Sequence, residues 1–262
     1  MISFVGAGPG AADLITLRGR DRLAAADVII WASSLVPEAL LGHARPGAEI
    51  HDSATKTLED VLAIYAAHPD AAIVRLHSGD PSIYGAIQEQ IDWCVEEGRD
   101  FEIVPGVTSL AAAAAIIGRE LTIPKVAQSV VLTRVAGRTR ASMPERESIA
   151  AFAAIGTTMA IFLSAARPAE LRAGLLSAGS AYGIDTPAVI VVRATWPDER
   201  VITTTVGEVA SALAADGART TVLVLVGPAL VGTAARSHLY SPTYAHKFRR
   251  RSVPGSTSGR PA

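Results

Sequence analysis

Apolar and polar positions alternate along this chain in a regular way: short β-rich runs are separated by longer stretches with helical spacing. The runs ISFVGA, DVIIWA, AAIVRLH and FEIVP in the first hundred residues read as strands, as do QSVVLTRV, TTMAIFLS, PAVIVVRATW, RVITTTV and TTVLVLVG further on. Between them, residues 82–98 (SIYGAIQEQIDWCVEEG) place Ile83, Ile87, Ile91 and Val95 four apart, which predicts a helix with one apolar face, closed by Gly98. TSLAAAAAIIG begins on residues able to cap a helix and stops on a glycine. Strands alternating with helices imply an α/β fold whose sheets are mixed but mainly parallel and covered by helices.

The polar stretch GRELTIPKVAQ interrupts the pattern at residues 118–128. It predicts two α/β domains, 1–120 and 121–236, followed by a tail at 237–262 that gathers Pro, Ser, Gly and Arg. A length of 262 residues, 49% of them apolar and only 5% aromatic, suits such a layered protein. The formal net charge of −1 speaks against a whole-surface field for nucleic acid or membrane, while leaving room for a local basic patch. Cys94 is the one cysteine, so no disulfide framework or thiolate metal cluster can form, and a reducing cytoplasm is the expected setting. The six histidines are scattered, and no metal is expected. No apolar run reaches the roughly 18–20 residues of a membrane span.

Candidate chemistry begins with FVGAGPGAADLIT, residues 4–16. Gly6, Gly8 and Ala11 satisfy the spacing of the dinucleotide fingerprint. The mechanism behind that fingerprint needs a helix opening inside the loop and an acid ending the second strand. Here the helical pattern waits until about Thr16, and DVIIWASS ends without an acid. The loop is then either a tight turn or a different ligand wall, in which Pro9 stiffens the chain while Gly8 and Gly10 admit a ligand to the backbone. In HSGDPSIYG, residues 77–85, Asp80 can accept hydrogen bonds from ribose hydroxyls or a cationic amine, or can cap the next helix. In VPGVTSLA, Thr108 and Ser109 offer the same two readings. Arg134, Arg138, Arg140 and Arg146 lie in a polar stretch that is either a solvated loop or the local basic patch, suited to carboxylates.

Three of these motifs, VGAGPGAADLITLRG, HSGDPSIYG and VPGVTSLAAAAAIIG, occur in the order and spacing of the tetrapyrrole methylases, and the chain resembles that family over about residues 2–230. The departure is Ser78, where many members carry glycine. The resemblance implies a methyltransferase that uses S-adenosylmethionine in a cleft between two domains and acts on a ring carbon of a precorrin in cobalamin and porphyrin biosynthesis. It places Gly8, Pro9, Ser78, Gly79, Asp80, Ile83, Tyr84, Thr108 and Ser109 at the cofactor, with Leu163, Ala194 and Val222 (beside Thr221) joining from later strand ends. Arg134, Arg138 and Arg140 then bind the carboxylates of the tetrapyrrole, His77 is the one candidate for a base, and the protein is expected to be a cytoplasmic homodimer. Alternatives are a methylase acting at another ring position and, more distantly, a dinucleotide-dependent oxidoreductase.

Overall fold

The computed structural model describes residues 1–136, 141, 143–232, 237–241, 244–245 and 247–248. Arg138, Arg140 and most of the tail lie outside these residues. The chain divides into two compact units. The first comprises Met1–Ile117, Val191–Val201 and Ala218–Leu223; the second comprises Gly118–Ile190, Ile202–Gly217 and the chain from Val224. A single cut at residue 120 leaves out the two later segments of the first unit, whose turns are held there by hydrogen bonds over long sequence separation.

In the first unit β1 (Ile2–Gly6), β2 (Val28–Trp31), β3 (Glu49–Asp52), β4 (Ile73–His77) and β5 (Phe101–Val104) form a five-stranded sheet in the order β3-β2-β4-β1-β5. All its pairings are parallel. Helices cover both faces. Alternate residues of the strands send Ile2, Phe4, Val28, Ile30 and Ile73 against α2 (Leu58–Ala67) and α3 (Gln88–Glu96), where Val61, Tyr65 and Cys94 meet them. Val5, Ile29, Val74, Leu76 and Val104 face the other way, toward Leu23 of α1 (Leu17–Ala25) and Leu40. Leu23 and Tyr65 are fully buried. Truncating Leu23 to alanine would cost about 2–5 kcal/mol.

Local signals set the helix starts. Thr16 caps α1 by accepting from the amide of Gly19, so the helix opens only at Leu17, well past the glycine loop. Thr57 and Asp60 form a reciprocal capping box on α2. Thr108 accepts from the amide of Ala111 and caps α4 (Ser109–Ile116), and Gly118 follows in the left-handed region that lets the chain leave. The helix expected from residue 82 starts instead at Gln88, because Tyr84 and Ala86 have positive φ and break the preceding turn. A four-residue spacing also advances about 40° per step on a helix of 3.6 residues per turn, and the row drifts off one face. Ile87 is buried, whereas Val95 is 67% exposed, and Gln90 and Cys94 are the residues of α3 that face inward.

The second five-stranded sheet has the order β6-β7-β10-β8-β9, formed by Val130–Arg134, Thr158–Phe162, Val222–Val226, Pro187–Val192 and Arg200–Thr205 respectively. It is mixed: β6 runs parallel to β7, and β7 antiparallel to β10. Within the second unit, α5 (Ile149–Ala153), α6 (Pro168–Leu175) and α7 (Val209–Asp216) supply buried Ile149, Leu171, Leu175 and Leu213. The nine runs read as strands are all strands; β3 is the tenth, and its sequence EIHD gave no apolar alternation because the strand is largely exposed. Among the described residues no helix is long and apolar enough to cross a membrane, and no group of three ligating side chains is placed to hold a metal ion.

Candidate functional site

The parallel register brings three loops to one place. Gly6 of β1 lies beside His77 of β4, and Val5 lies beside Val104 of β5, so the carboxyl ends of three adjacent strands finish level. Ligands of open α/β sheets bind at that end. The loops are joined through their backbones. The amide of Gly8 donates to Gly79 O at 3.2 Å and the amide of Gly79 returns a bond to Gly8 O at 2.8 Å, a two-residue bridge between loops that lie far apart in sequence. Asp80 reaches the third loop, where Oδ2 accepts from the amide of Gly106 at 2.8 Å, while Oδ1 accepts from Ser82 at 2.8 Å.

The glycines are what permit this approach. A Cβ at Gly6 would sit 2.5 Å from Gly106 Cα and 2.7 Å from Gly79 O, and one at Gly106 would sit 2.8 Å from Gly6 Cα. Gly79 has φ 66° and lies against Thr108, whose Cα would be 3.7 Å from an added Cβ. Gly8, Gly79, Asp80, Thr108 and Ser109 are thus one constellation. Thr108 is also a helix cap and Asp80 also a loop tie, so both take on the structural duties that their sequence context allowed. Each acceptor oxygen keeps a second lone pair for another donor.

A fourth piece arrives from much later in the chain. The indole Nε1 of Trp196 donates to Pro9 O at 3.0 Å, and Thr195 Oγ1 accepts from the amide of Ala11 at 2.8 Å. A Cβ on Gly10 would come within 2.7 Å of Trp196 Nε1 and 2.8 Å of Ala194 O. Ala194, buried between Arg193 and Thr195, is therefore placed against the glycine loop. The amide of Arg193 donates to Thr221 O at 2.8 Å, which brings the start of β10 and Val222 to the same turn. Thr195, Trp196 and Thr221 carry more of this geometry than Ala194 and Val222 do. The roles of Thr195 and Trp196 are not legible in VRATWPDER, since nothing local reveals which backbone a tryptophan 187 positions away will meet.

Backbone strain concentrates here. Tyr84, Arg193, Thr195 and Thr221 of the first unit all have φ between 50° and 65°; by itself, in the second unit, Leu163 just after β7 has φ 52°. A non-glycine residue in that region costs about 1–2 kcal/mol, most clearly a β-branched one, and such strain collects at functional sites. Tyr84 is 50% exposed and Leu163 64%, so both present apolar surface outward. Thr221 Oγ1 is a buried hydroxyl with no hydrogen-bond partner among the described residues. An orphaned hydroxyl, glycine cradles and strained strand ends fit a nucleoside-type ligand approaching the backbone.

His77 is a different case. It ends β4 buried, its ring 6.1 Å from that of Phe4. Burial, and after it the nearby Arg75 charge, bring its pKa down to about 3, while the backbone at Gly85 pulls weakly the other way. It is neutral near pH 7 and packs at the end of β4, directly before the loop that carries Asp80 and Tyr84. Arg75 points into the same interior, where its Nη1 donates to Ser53 Oγ at 2.9 Å. Arg193 lies 4.0 Å over the Trp196 ring and pairs with Asp198 at 2.6 Å. Arg134 ends β6, in register with Phe162 of β7, and belongs to the second unit.

The glycine loop differs from a dinucleotide loop in its donors. From residue 7 to 11, the amides of Ala7, Gly8 and Ala11 are engaged by His77 O, Gly79 O and Thr195 Oγ1, and Pro9 has none. A pyrophosphate needs such amides free, together with a helix N-terminus, and α1 begins six residues beyond Ala11.

Comparison with known proteins agrees with this geometry. Residues 1–210 match the model of the tetrapyrrole (corrin/porphyrin) methylases. The chain is 46% identical over 253 residues to a precorrin-4 C(11)-methyltransferase of Sinorhizobium sp, covering 95% of this chain and 98% of that protein. It is 42% identical over 252 residues to a cobalt-precorrin-4 C(11)-methyltransferase of Methanocaldococcus jannaschii, with coverage of 95% and 96%. Among solved structures, a cobalt precorrin-4 methyltransferase superposes with a TM-score of 0.83 at 42% identity, over 88% of this chain and 96% of that one. The uroporphyrin-III C-methyltransferase of Thermus thermophilus complexed with S-adenosylhomocysteine superposes with a TM-score of 0.71 at 28% identity, over 88% and 93%. With both sheets, the three-loop constellation and these likenesses in agreement, the chain belongs to the tetrapyrrole methylases.

Proposed function

We propose that this protein transfers the methyl group of S-adenosylmethionine to C-11 of precorrin-4, or of its cobalt form, in cobalamin biosynthesis. The observation that carries the reading is the near full-length likeness to precorrin-4 and cobalt-precorrin-4 C(11)-methyltransferases, on a chain whose three glycine loops are locked at the carboxyl edge of a parallel sheet. When bound, S-adenosylmethionine supplies an electrophilic methyl group on a sulfonium centre. The chain's own residues bind, orient and exclude water, which is how a direct methyl displacement gains most of its rate.

In this reading Gly8 and Pro9 form one wall. Ser78, Gly79 and Asp80 form the next, and the second lone pairs of the Asp80 carboxylate accept from hydroxyl or ammonium groups. Ile83 and Tyr84 close over the apolar part, Thr108 and Ser109 meet it from α4, and Ala194 and Val222 back it, with Leu163 on the adenine side. The orphaned Thr221 hydroxyl finds its partner on the ligand. No nucleophilic side chain is needed. His77, held neutral and buried, serves as an anchor of the Asp80 loop rather than as a base. Arg134, Arg138 and Arg140 bind substrate carboxylates, for which the forked guanidinium is suited. The family likeness supports a cytoplasmic homodimer.

The test is incubation with precorrin-4 and methyl-labelled S-adenosylmethionine, followed by location of the label. Label at C-11 is expected, and label at any other ring carbon overturns the assignment in favour of a different position within the family. Parallel incubation with the cobalt and metal-free substrates decides between the two, since relatives named for both match this chain at 42–46% identity.

A further inference from the structure

Resting on the cofactor reading above, we infer that Thr195 and Trp196 are positioning residues that latch the Gly8–Ala11 loop in its ligand-binding shape. The loop has little to hold it from its own sequence. It contains two glycines and precedes a helix that starts only at Leu17, and its first half is fixed by the Gly8–Gly79 bridge. Its second half is fixed from 184 to 187 residues away, by Ala11 N donating to Thr195 Oγ1 and Trp196 Nε1 donating to Pro9 O.

The latch is itself braced. The amide of Thr195 donates to Glu199 Oε2 at 2.6 Å, that of Trp196 to Arg193 O at 2.9 Å, and the Arg193 guanidinium covers the indole ring. Trp196 also leaves no room for a side chain at residue 10. The turn keeps a threonine at φ 65°, where glycine would be at ease, and what threonine adds at that position is the hydroxyl that accepts from Ala11. The hydroxyl, and not the backbone shape of the turn, is therefore the reason for the residue. Pro9 O and Ala11 N are each spent on the latch, which holds in place the Gly8 and Pro9 that the cofactor reading puts at the ligand.

A series at position 195, with S-adenosylhomocysteine affinity read by calorimetry and Tm by thermal unfolding, separates this role from ordinary structure. Thr195→Gly relieves the backbone and removes the hydroxyl: Tm is expected to hold or rise while Kd rises about tenfold. Thr195→Val should weaken binding as much, and Thr195→Ser, which restores the hydroxyl, should bind like the parent. Trp196→Phe keeps a ring over Gly10 and loses the N–H, and should raise Kd several-fold. If the parent protein fails to bind S-adenosylhomocysteine, the cofactor reading falls and the latch with it. If the parent binds and Thr195→Gly binds equally well, or if affinity falls only in step with Tm across the series, the latch alone is overturned.

Discussion

The Asp80 carboxylate takes the amide of Gly106 at 2.8 Å across 26 residues, and with its other oxygen it takes the amide of Ser82. One side chain therefore fixes both the turn it sits in and the distance to the next loop. Asp80→Asn presents an NH2 group to one of two N–H donors, so one bond is lost and two donors are left facing each other. Bonds to a charged acceptor are worth about 1.5–3 kcal/mol, and a loss of that size in denaturant unfolding is expected, with S-adenosylhomocysteine affinity reduced at least tenfold. Unchanged affinity would remove Asp80 from the ligand site and leave it a loop tie only.

Gly106→Ala tests the close approach of the loops. The added methyl meets backbone at Gly6 and Gly79 and has no flexible side chain to displace, so the strands or loops must separate. Overpacking of this kind costs about 1–3 kcal/mol, a drop of several degrees in Tm for a chain of this size. Ligand binding should suffer more than stability, since the Asp80 bond to the same amide is strained as well.

His77 predicts an acid-sensitive fold. Its folded pKa, about 3, lies below the ordinary value of 6.5, so the unfolded chain binds a proton between those limits and the folded protein does not. The contribution of His77 is whole above pH 6.5 and falls away as pH drops toward 3, with a slope of about 1.4 kcal/mol per pH unit at most. Chemical denaturation at pH 5 and pH 7.5 should show the loss in the parent and a smaller one in His77→Asn. The same variant should keep kcat within about tenfold, because an anchoring residue loses less than the 100-fold or more typical of a base; a larger loss that tracks ionisation in the pH profile would restore His77 as the base.

Arg134→Ala is expected to raise the KM for the tetrapyrrole far more than the Kd for S-adenosylmethionine. A guanidinium that meets carboxylates loses a charge-assisted bond worth about 1.5–3 kcal/mol, or roughly tenfold to a hundredfold in KM. Steady-state kinetics and calorimetry on one preparation give both values, and equal effects on the two would refute the assignment.

Much of this architecture is legible in the chain because buried parallel strands are written as apolar runs and their helices by caps. Among the described residues nine of the ten strands announce themselves as apolar or β-branched runs, the partly exposed β5 and β9 included; β3, exposed along most of its length, has no such run. The glycine loops are legible as well, since Gly6 and Gly106 stand where a side chain cannot and Gly79 takes a φ of 66° that favours glycine. The latch was not. Thr195 and Trp196 act through backbone atoms nearly 190 residues earlier, and their local sequence shows neither the left-handed φ of Thr195 nor the direction of the indole. The start of α3 is hidden for a related reason: Tyr84 and Ala86 take a conformation that their side chains disfavour, and only the surrounding fold imposes it.

The exposed strand β3 has a consequence for solubility. It ends the order of the first sheet, so one row of its backbone N–H and C=O groups faces outward as a template on which another chain could pair. Four residues long, it carries Glu49, His51 and Asp52 around a lone apolar Ile50. A second strand laid along it would have to bury or oppose those ionisable groups. Shortness and charge guard against aggregation at an edge that no further strand closes, and replacing Glu49 and Asp52 by β-branched apolar residues would expose it.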